Sequence, residues 1–203
     1  MSTVQPSSPA AGKRVRLSRA DRLHQLIDTA WQIVREQGSD ALTLPSLALK
    51  AGVAKPVVYD HFGTRNGLLA ALYRDYDLRQ TAALDAALET SGPTLADKAA
   101  VIASAYVDCV LSQGPEILGV VAALAGSPEL ERVRRDYQLA FIDKCRAVLA
   151  PFANGRRIGD AGLWAMLGAA DSLSKAAASA DVMPEEAEAE LSGIIAGLVD
   201  RRS

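Results

Sequence analysis

The chain has 203 residues, 49% of them hydrophobic and 23% charged, a globular balance that excludes wholesale disorder and fibrous repeats. Its formal net charge of −2 would ordinarily argue against a polyanionic partner. The charge is unevenly placed, however: up to Arg74 ten Lys and Arg stand against five Asp and Glu, and beyond it twelve stand against nineteen. A basic front and an acidic rear point to a front that meets an anion and a rear with another task.

Residues 1–17 are Ser-, Pro- and Ala-rich and carry Lys13, Arg14 and Arg16. They read as a disordered basic tail and lack the apolar core of a signal peptide. Leu23, Leu26, Ile27, Ala30, Trp31 and Val34 then recur at helical spacing, predicting a helix from Ser18 to Gln37 with Ser18 and Asp21 as a capping box and Gly38 as its stop. Two short helices follow, over 44–51 and 55–62, and a long one over 65–89 opens behind Gly63 and Thr64. Beyond Ser91-Gly92-Pro93, Gly/Pro punctuation separates five further helices. No strand-like alternation competes with this, so the fold class is all-α, with a front domain over 18–66 and a helical rear domain over 67–203.

Between Thr43 and Phe62 the order is Ala48, Gly52 four positions on, and Val58 six positions after that. Two short helices crossing at a wide angle need a small residue where their backbones meet, a residue tolerant of positive φ in the turn, and an apolar residue pointing back into the first helix. The spacing supplies all three, so Thr43 to Phe62 fits a helix-turn-helix. Pro56 suits the first turn of the presented helix, where its missing N–H costs nothing. With Val58 and Phe62 inward, Lys55 offers a phosphate counter-charge, Tyr59 and His61 offer hydrogen bonds to phosphate, and Val57 offers contact with a thymine methyl. Thr43 and Arg65, at helix starts, add a hydroxyl and a cation beside free backbone N–H groups. The basic tail could follow the backbone or enter a minor groove.

The run Leu42-Thr43-Leu44-(x)3-Ala48-(x)3-Gly52-Val53-Ala54-Lys55-Pro56-Val57-Val58-Tyr59-Asp60-His61-Phe62-Gly63-Thr64-Arg65 resembles the TetR family of bacterial one-component transcriptional regulators. The resemblance covers about 23–72. It implies a homodimer that sets two recognition helices into successive major grooves, and a rear domain whose inducer alters their separation. It also implies phosphate contacts for Thr43, Tyr59, His61 and Arg65, and base or near-base contacts for Lys55, Pro56 and Val57. Four positions depart from the pattern or sit awkwardly in it: Ala54 replaces a hydroxyl cap, Asn66 and Gly67 replace acidic residues and weaken the fourth helix start, and Asp60 beside the DNA face is repelled by phosphate unless it accepts from a cytosine amino group or points to solvent.

In the rear, Leu163, Met166, Leu167 and Ala170, and then Leu191, Ile194, Ile195 and Leu198, show helical apolar spacing. By the resemblance these last two long helices form a four-helix dimer interface, and the eight residues are expected in it. A ligand pocket is expected among the helices of 95–178, lined by some of Tyr106, Cys109, Phe141, Trp164 and Leu167. So few charges there point to an apolar or weakly polar inducer.

The rear has no histidine, no paired carboxylates with a cleft partner and no nucleophile motif, so no catalytic residue is expected. Cys109 and Cys145 are too few and scattered for a disulfide framework or a metal site. No cofactor and no membrane partner is expected, and the location is cytoplasmic. The reading is therefore a ligand-responsive DNA-binding regulator, a repressor bound as a homodimer to a pseudo-palindromic double-stranded operator and released by a small-molecule inducer. The competing reading is a dimeric sensor or adaptor without sequence-specific DNA binding.

Overall fold

The computed structural model describes residues 17–113 and 115–200. Lys13, Arg14 and Arg16 of the basic tail lie outside them. Nine α-helices run in chain order over these residues: α1 (Arg19–Gln37), α2 (Leu44–Ala51), α3 (Lys55–Phe62), α4 (Arg65–Thr90), α5 (Leu95–Gln113), α6 (Pro115–Leu124), α7 (Pro128–Leu149), α8 (Asp160–Ala178) and α9 (Pro184–Asp200). Short 3-10 turns at Ser39–Ala41 and Ala150–Phe152, not anticipated from the sequence, complete the set. The described residues contain no strand, and no single helix among them is long and apolar enough to cross a membrane.

Local chemistry sets the front boundaries. Ser18 caps α1, its hydroxyl accepting from the Asp21 N–H at 3.1 Å and donating to the Asp21 carboxylate at 2.7 Å. Gly38 ends the helix with φ +82°, a conformation costly for any residue with a Cβ. Thr43 and Ser46 form a capping box at α2. Gly52, at φ +64° in the left-handed region, turns the chain toward α3, and the Val53 N–H returns to the Ala48 carbonyl at 3.0 Å. Gly63, at φ 67° and ψ −60°, forms a γ-turn in which the Phe62 carbonyl accepts from the Thr64 N–H at 2.7 Å.

Two cores result. The front one joins Leu26, Ala30, Trp31, Leu47, Ala48, Val58 and Phe62 to Leu68, Leu69 and Leu72 of α4, and Ile117, Val120 and Leu124 of α6 with Leu130 of α7 close it. The boundary expected at 66/67 therefore falls in the first turn of α4, and the next two turns of that helix still belong to the front core. The rear core is built from α4, α5, α7, α8 and α9, with α5 and α9 packed most closely and α8 against both.

Candidate nucleic-acid interface and adjoining cavity

Within the front, Val58 is fully buried and Phe62 nearly so, which turns Lys55, Pro56, Tyr59 and Asp60 to solvent and leaves Val57 and His61 half-buried. The exposed side of α3 therefore carries the residues expected to meet DNA. Arg19 and Arg22 of α1 lie near enough to His61 to act on its charge. Burial first, then the Arg19 guanidinium, holds its pKa below the usual histidine value against the opposing pull of Asp60. His61 is thus a neutral donor at pH 7. Tyr59 is the most exposed aromatic of the helix, at 49%.

Two of the expected phosphate ligands do other work. The Thr43 hydroxyl accepts from the Ser46 N–H at 3.1 Å and sits 3.0 Å from the Ser46 hydroxyl, so its hydrogen-bonding capacity is spent capping α2. Arg65 is held within the chain as well. Its Nε donates to the Leu42 carbonyl at 3.0 Å and its Nη2 to the Ser39 carbonyl at 2.9 Å. The guanidinium braces the 3-10 turn before α2 against the start of α4, while 40% of the side chain stays exposed and Asp40 lies 4.0 Å away. Spacing alone cannot reveal this, because the carbonyls it holds belong to a turn that the sequence does not announce.

Gly67 has a positive reason to be there. A Cβ at this position would lie 2.1 Å from the Phe62 carbonyl oxygen, so α4 can start beside the γ-turn only without a side chain. Asn66 reaches the loop before α7, 3.4 Å from the Ser127 hydroxyl and 3.3 Å from the Glu129 carboxylate. The two departures from the family pattern are thus a steric fit and a tie between front and rear.

Behind the front, Tyr73, Tyr76, Asp77, Gln80, Thr81, Tyr106, Cys109, Tyr137, Phe141 and Leu167 surround a cavity with an inner volume of about 80 Å³. Its free space of about 600 Å³ opens to solvent at one side. A second compartment of about 80 Å³ shares Tyr73, Tyr76, Tyr106 and Gln138 with the first and adds Ile117, Leu118, Val121, Arg134, Asp171 and Lys175. The Tyr106 hydroxyl donates to the Asp171 carboxylate at 2.6 Å, and the Tyr76 hydroxyl lies 2.6 Å from the Cys109 sulfur. Burial raises the pKa of both phenols and pushes the Cys109 and Cys145 thiols up to about 12. These thiols behave as buried small hydrophobes.

The comparisons with known proteins bear first on the front. Residues 26–72 match the model described as bacterial regulatory proteins, tetR family. Over those residues the chain is similar to the TetR family. A curated relative, the HTH-type transcriptional activator FasR of Mycolicibacterium smegmatis, is 40% identical over 72 residues, which is 34% of this chain and 33% of that protein. The match thus spans about a third of the relative's length. Among solved structures, a protein of unknown function from Rhodococcus sp. RHA1 superposes with a TM-score of 0.74 at 23% identity, covering 92% of this chain and 98% of that one. A TetR-family transcriptional regulator from Streptomyces coelicolor gives 0.65 at 20%, covering 89% and 95%. At such identities the likeness carries the fold.

Four of the five expected pocket residues, Tyr106, Cys109, Phe141 and Leu167, line the cavity. Trp164 does not line either compartment; it is half-buried, and the Arg135 guanidinium lies 5.3 Å from its ring centroid. The sequence reading missed the α4 wall, Tyr73 through Thr81, because it looked for the pocket only from Leu95 onward. The expected dimer residues are largely covered by the chain itself. Leu163, Met166, Leu167, Ala170, Leu191, Ile195 and Leu198 are buried within the single chain, in contact with α5 and one another, and only Ile194 is half-exposed. Apolar periodicity finds the face a helix buries most deeply, and here that face is spent on the chain's own core. The outward faces of α8 and α9 carry Ala165, Gly168, Ser172, Ala189 and Gly193.

Proposed function

We propose that the protein is a ligand-responsive DNA-binding regulator, a repressor acting in the cytoplasm as a homodimer on a pseudo-palindromic operator and released when a small molecule fills the cavity beside α4. The observation that carries this reading is the arrangement of α4. Its first turns close the core beneath α3 while Tyr73, Tyr76 and Asp77, two to three turns on, wall the cavity. One rigid element touches both events. Asp75, between those wall residues, accepts from the Trp31 indole N–H of α1 at 2.8 Å, and the Arg79 guanidinium pairs with Asp75 at 2.6 Å while lying 5.5 Å from the Trp31 ring centroid.

α6 provides a parallel route. Ile117 belongs to the front core and lines the second compartment, and Gly119 admits Ser39 of the 3-10 turn, whose hydroxyl would stand 3.2 Å from a Cβ there. A ligand that pushes on Tyr73 and Tyr76 displaces α4, which packs on α3, and one that pushes on Ile117 displaces α6, which packs on α1 and the 3-10 turn before α2. Paired recognition helices must match half-sites about 34 Å apart, so a small swing in each protomer forfeits specific affinity. A coupling of ~1–3 kcal/mol changes occupancy about 5- to 150-fold.

On this reading the dimer forms through the outward faces of α8 and α9, whose small side chains let backbones approach closely, with Ile194 at the margin. No enzyme activity is part of the reading. Selection of operator DNA from a random pool with the purified chain tests it. Enriched inverted repeats with half-sites one helical turn apart support it. Salt-sensitive retention without sequence preference refutes it in favour of the adaptor.

A further inference from the structure

We propose that the compartment holding Asp77 takes an organic cation with an apolar or aromatic body, in place of the apolar or weakly polar inducer that the rear helices alone suggested. This rests on the cavity being the ligand site of the proposed regulator and names the class of ligand it selects. Four of the chain's five tyrosines line this compartment, together with Phe141. Tyr73 and Tyr137 meet edge to face at 5.5 Å between centroids, Tyr73 and Tyr76 stack at 6.0 Å, and Tyr106 and Phe141 lie 5.4 Å apart. Aromatic faces carry negative charge and attract ammonium-type cations at such spacing. Tyr106 also donates its proton to Asp171, which enriches its ring in electron density.

The second observation is the charge at the wall. Asp77 is half-buried and makes no hydrogen bond or ion pair among the described residues. Its pKa is raised by burial against the opposing pull of Lys144, and Lys144 is itself paired to Asp85. The remaining polar side chains around the compartment, Gln80, Thr81 and Gln138, are neutral, and no Lys or Arg lines it. An uncharged ligand without a hydrogen-bond donor would complete the desolvation of a carboxylate and give nothing back, and an anion would be repelled outright. A cation satisfies both the carboxylate and the ring faces. Arg134 and Lys175 line the other compartment, where Arg134 pairs with Glu131 at 3.3 Å, and Lys144, Arg74 and Arg79 act on the lining groups from outside it.

The test is calorimetric titration of the full chain with benzyltrimethylammonium, its uncharged carbon isostere neopentylbenzene, and phenylacetate. The cation is expected to bind at least about tenfold more tightly than the other two. Asp77→Asn, nearly isosteric, is expected to cost the cation about tenfold and the neutral isostere nothing, with an unchanged far-ultraviolet spectrum. Tyr137→Leu, at a partly exposed ring, provides a second variant and should weaken the cation alone. Equal or tighter binding of the isostere or the anion overturns the proposal, as does an unaltered preference in Asp77→Asn or no binding of any probe at millimolar concentration. DNA retention is measured on the same preparation. Intact sequence-specific retention without a cation preference refutes only the ligand class, whereas a cation preference without specific retention refutes the regulator and leaves the ligand class standing.

Discussion

Replacing Gly67 by alanine pits two effects of opposite sign against each other. Helix propensity alone favours alanine by ~1 kcal/mol. The packing opposes it: the new methyl would lie 2.1 Å from the Phe62 carbonyl oxygen and 3.2 Å from its carbon, about 1 Å short of ordinary contact. That oxygen cannot swing away cheaply, because it accepts the Thr64 N–H that closes the γ-turn. The clash must be relieved by parting the end of α3 from the start of α4, at the ~1–3 kcal/mol typical of overpacking. The net expectation is a loss of up to about 2 kcal/mol in denaturant titration, accompanied by displacement of the recognition helix. Affinity for a selected operator should then fall by at least about tenfold. A Gly67→Ala protein stabilised by ~1 kcal/mol, with operator affinity intact, would refute the steric account and leave propensity in command.

Further outcomes follow from the same geometry. Arg65→Ala removes charged hydrogen bonds to the Leu42 and Ser39 carbonyls and should cost about 1.5–3 kcal/mol; an unchanged denaturation midpoint would show that the brace is idle. Tyr59→Phe keeps the exposed ring and removes its hydroxyl, so operator and random DNA should both bind a few-fold more weakly, and a loss confined to operator would contradict a phosphate contact. Val57→Ser should instead shift the selected sequence preference, and an identical profile removes Val57 from base readout. With both thiols held at about 12 against a reference value of 9.0, labelling by a thiolate-specific reagent at pH 8 should be about a thousandfold slower than in denaturant. Prompt labelling of the native chain would contradict their burial.

The front half was legible because its boundaries are set locally. Ser18, Thr43, Gly52 and Gly63 act through neighbours within a few positions, so the limits of α2 and α3 follow from the residues themselves. What escaped the sequence depends on distant partners. Arg65 reads as an exposed cation until the carbonyls 23 and 26 positions back are in place. α4 shows no dominant stripe because Leu68 to Leu72 serve one core, Tyr73 to Thr81 a cavity and Leu84 a second core. All the periodic residues of α8 and α9 except Ile194 are buried and covered within the chain itself, since period identifies the covered face and is silent on which chain covers it.

The closure of the front core by Ile117, Val120, Leu124 and Leu130 bears on how such a molecule can be recombined. A chimera joined at residue 66 would strip seven large apolar side chains from the DNA-reading end, because Leu68, Leu69 and Leu72 would leave with those four. A viable graft must carry the donor chain through Leu130, and with it one wall of the second compartment, so specificity for DNA and part of the response to ligand travel as a single hereditary unit.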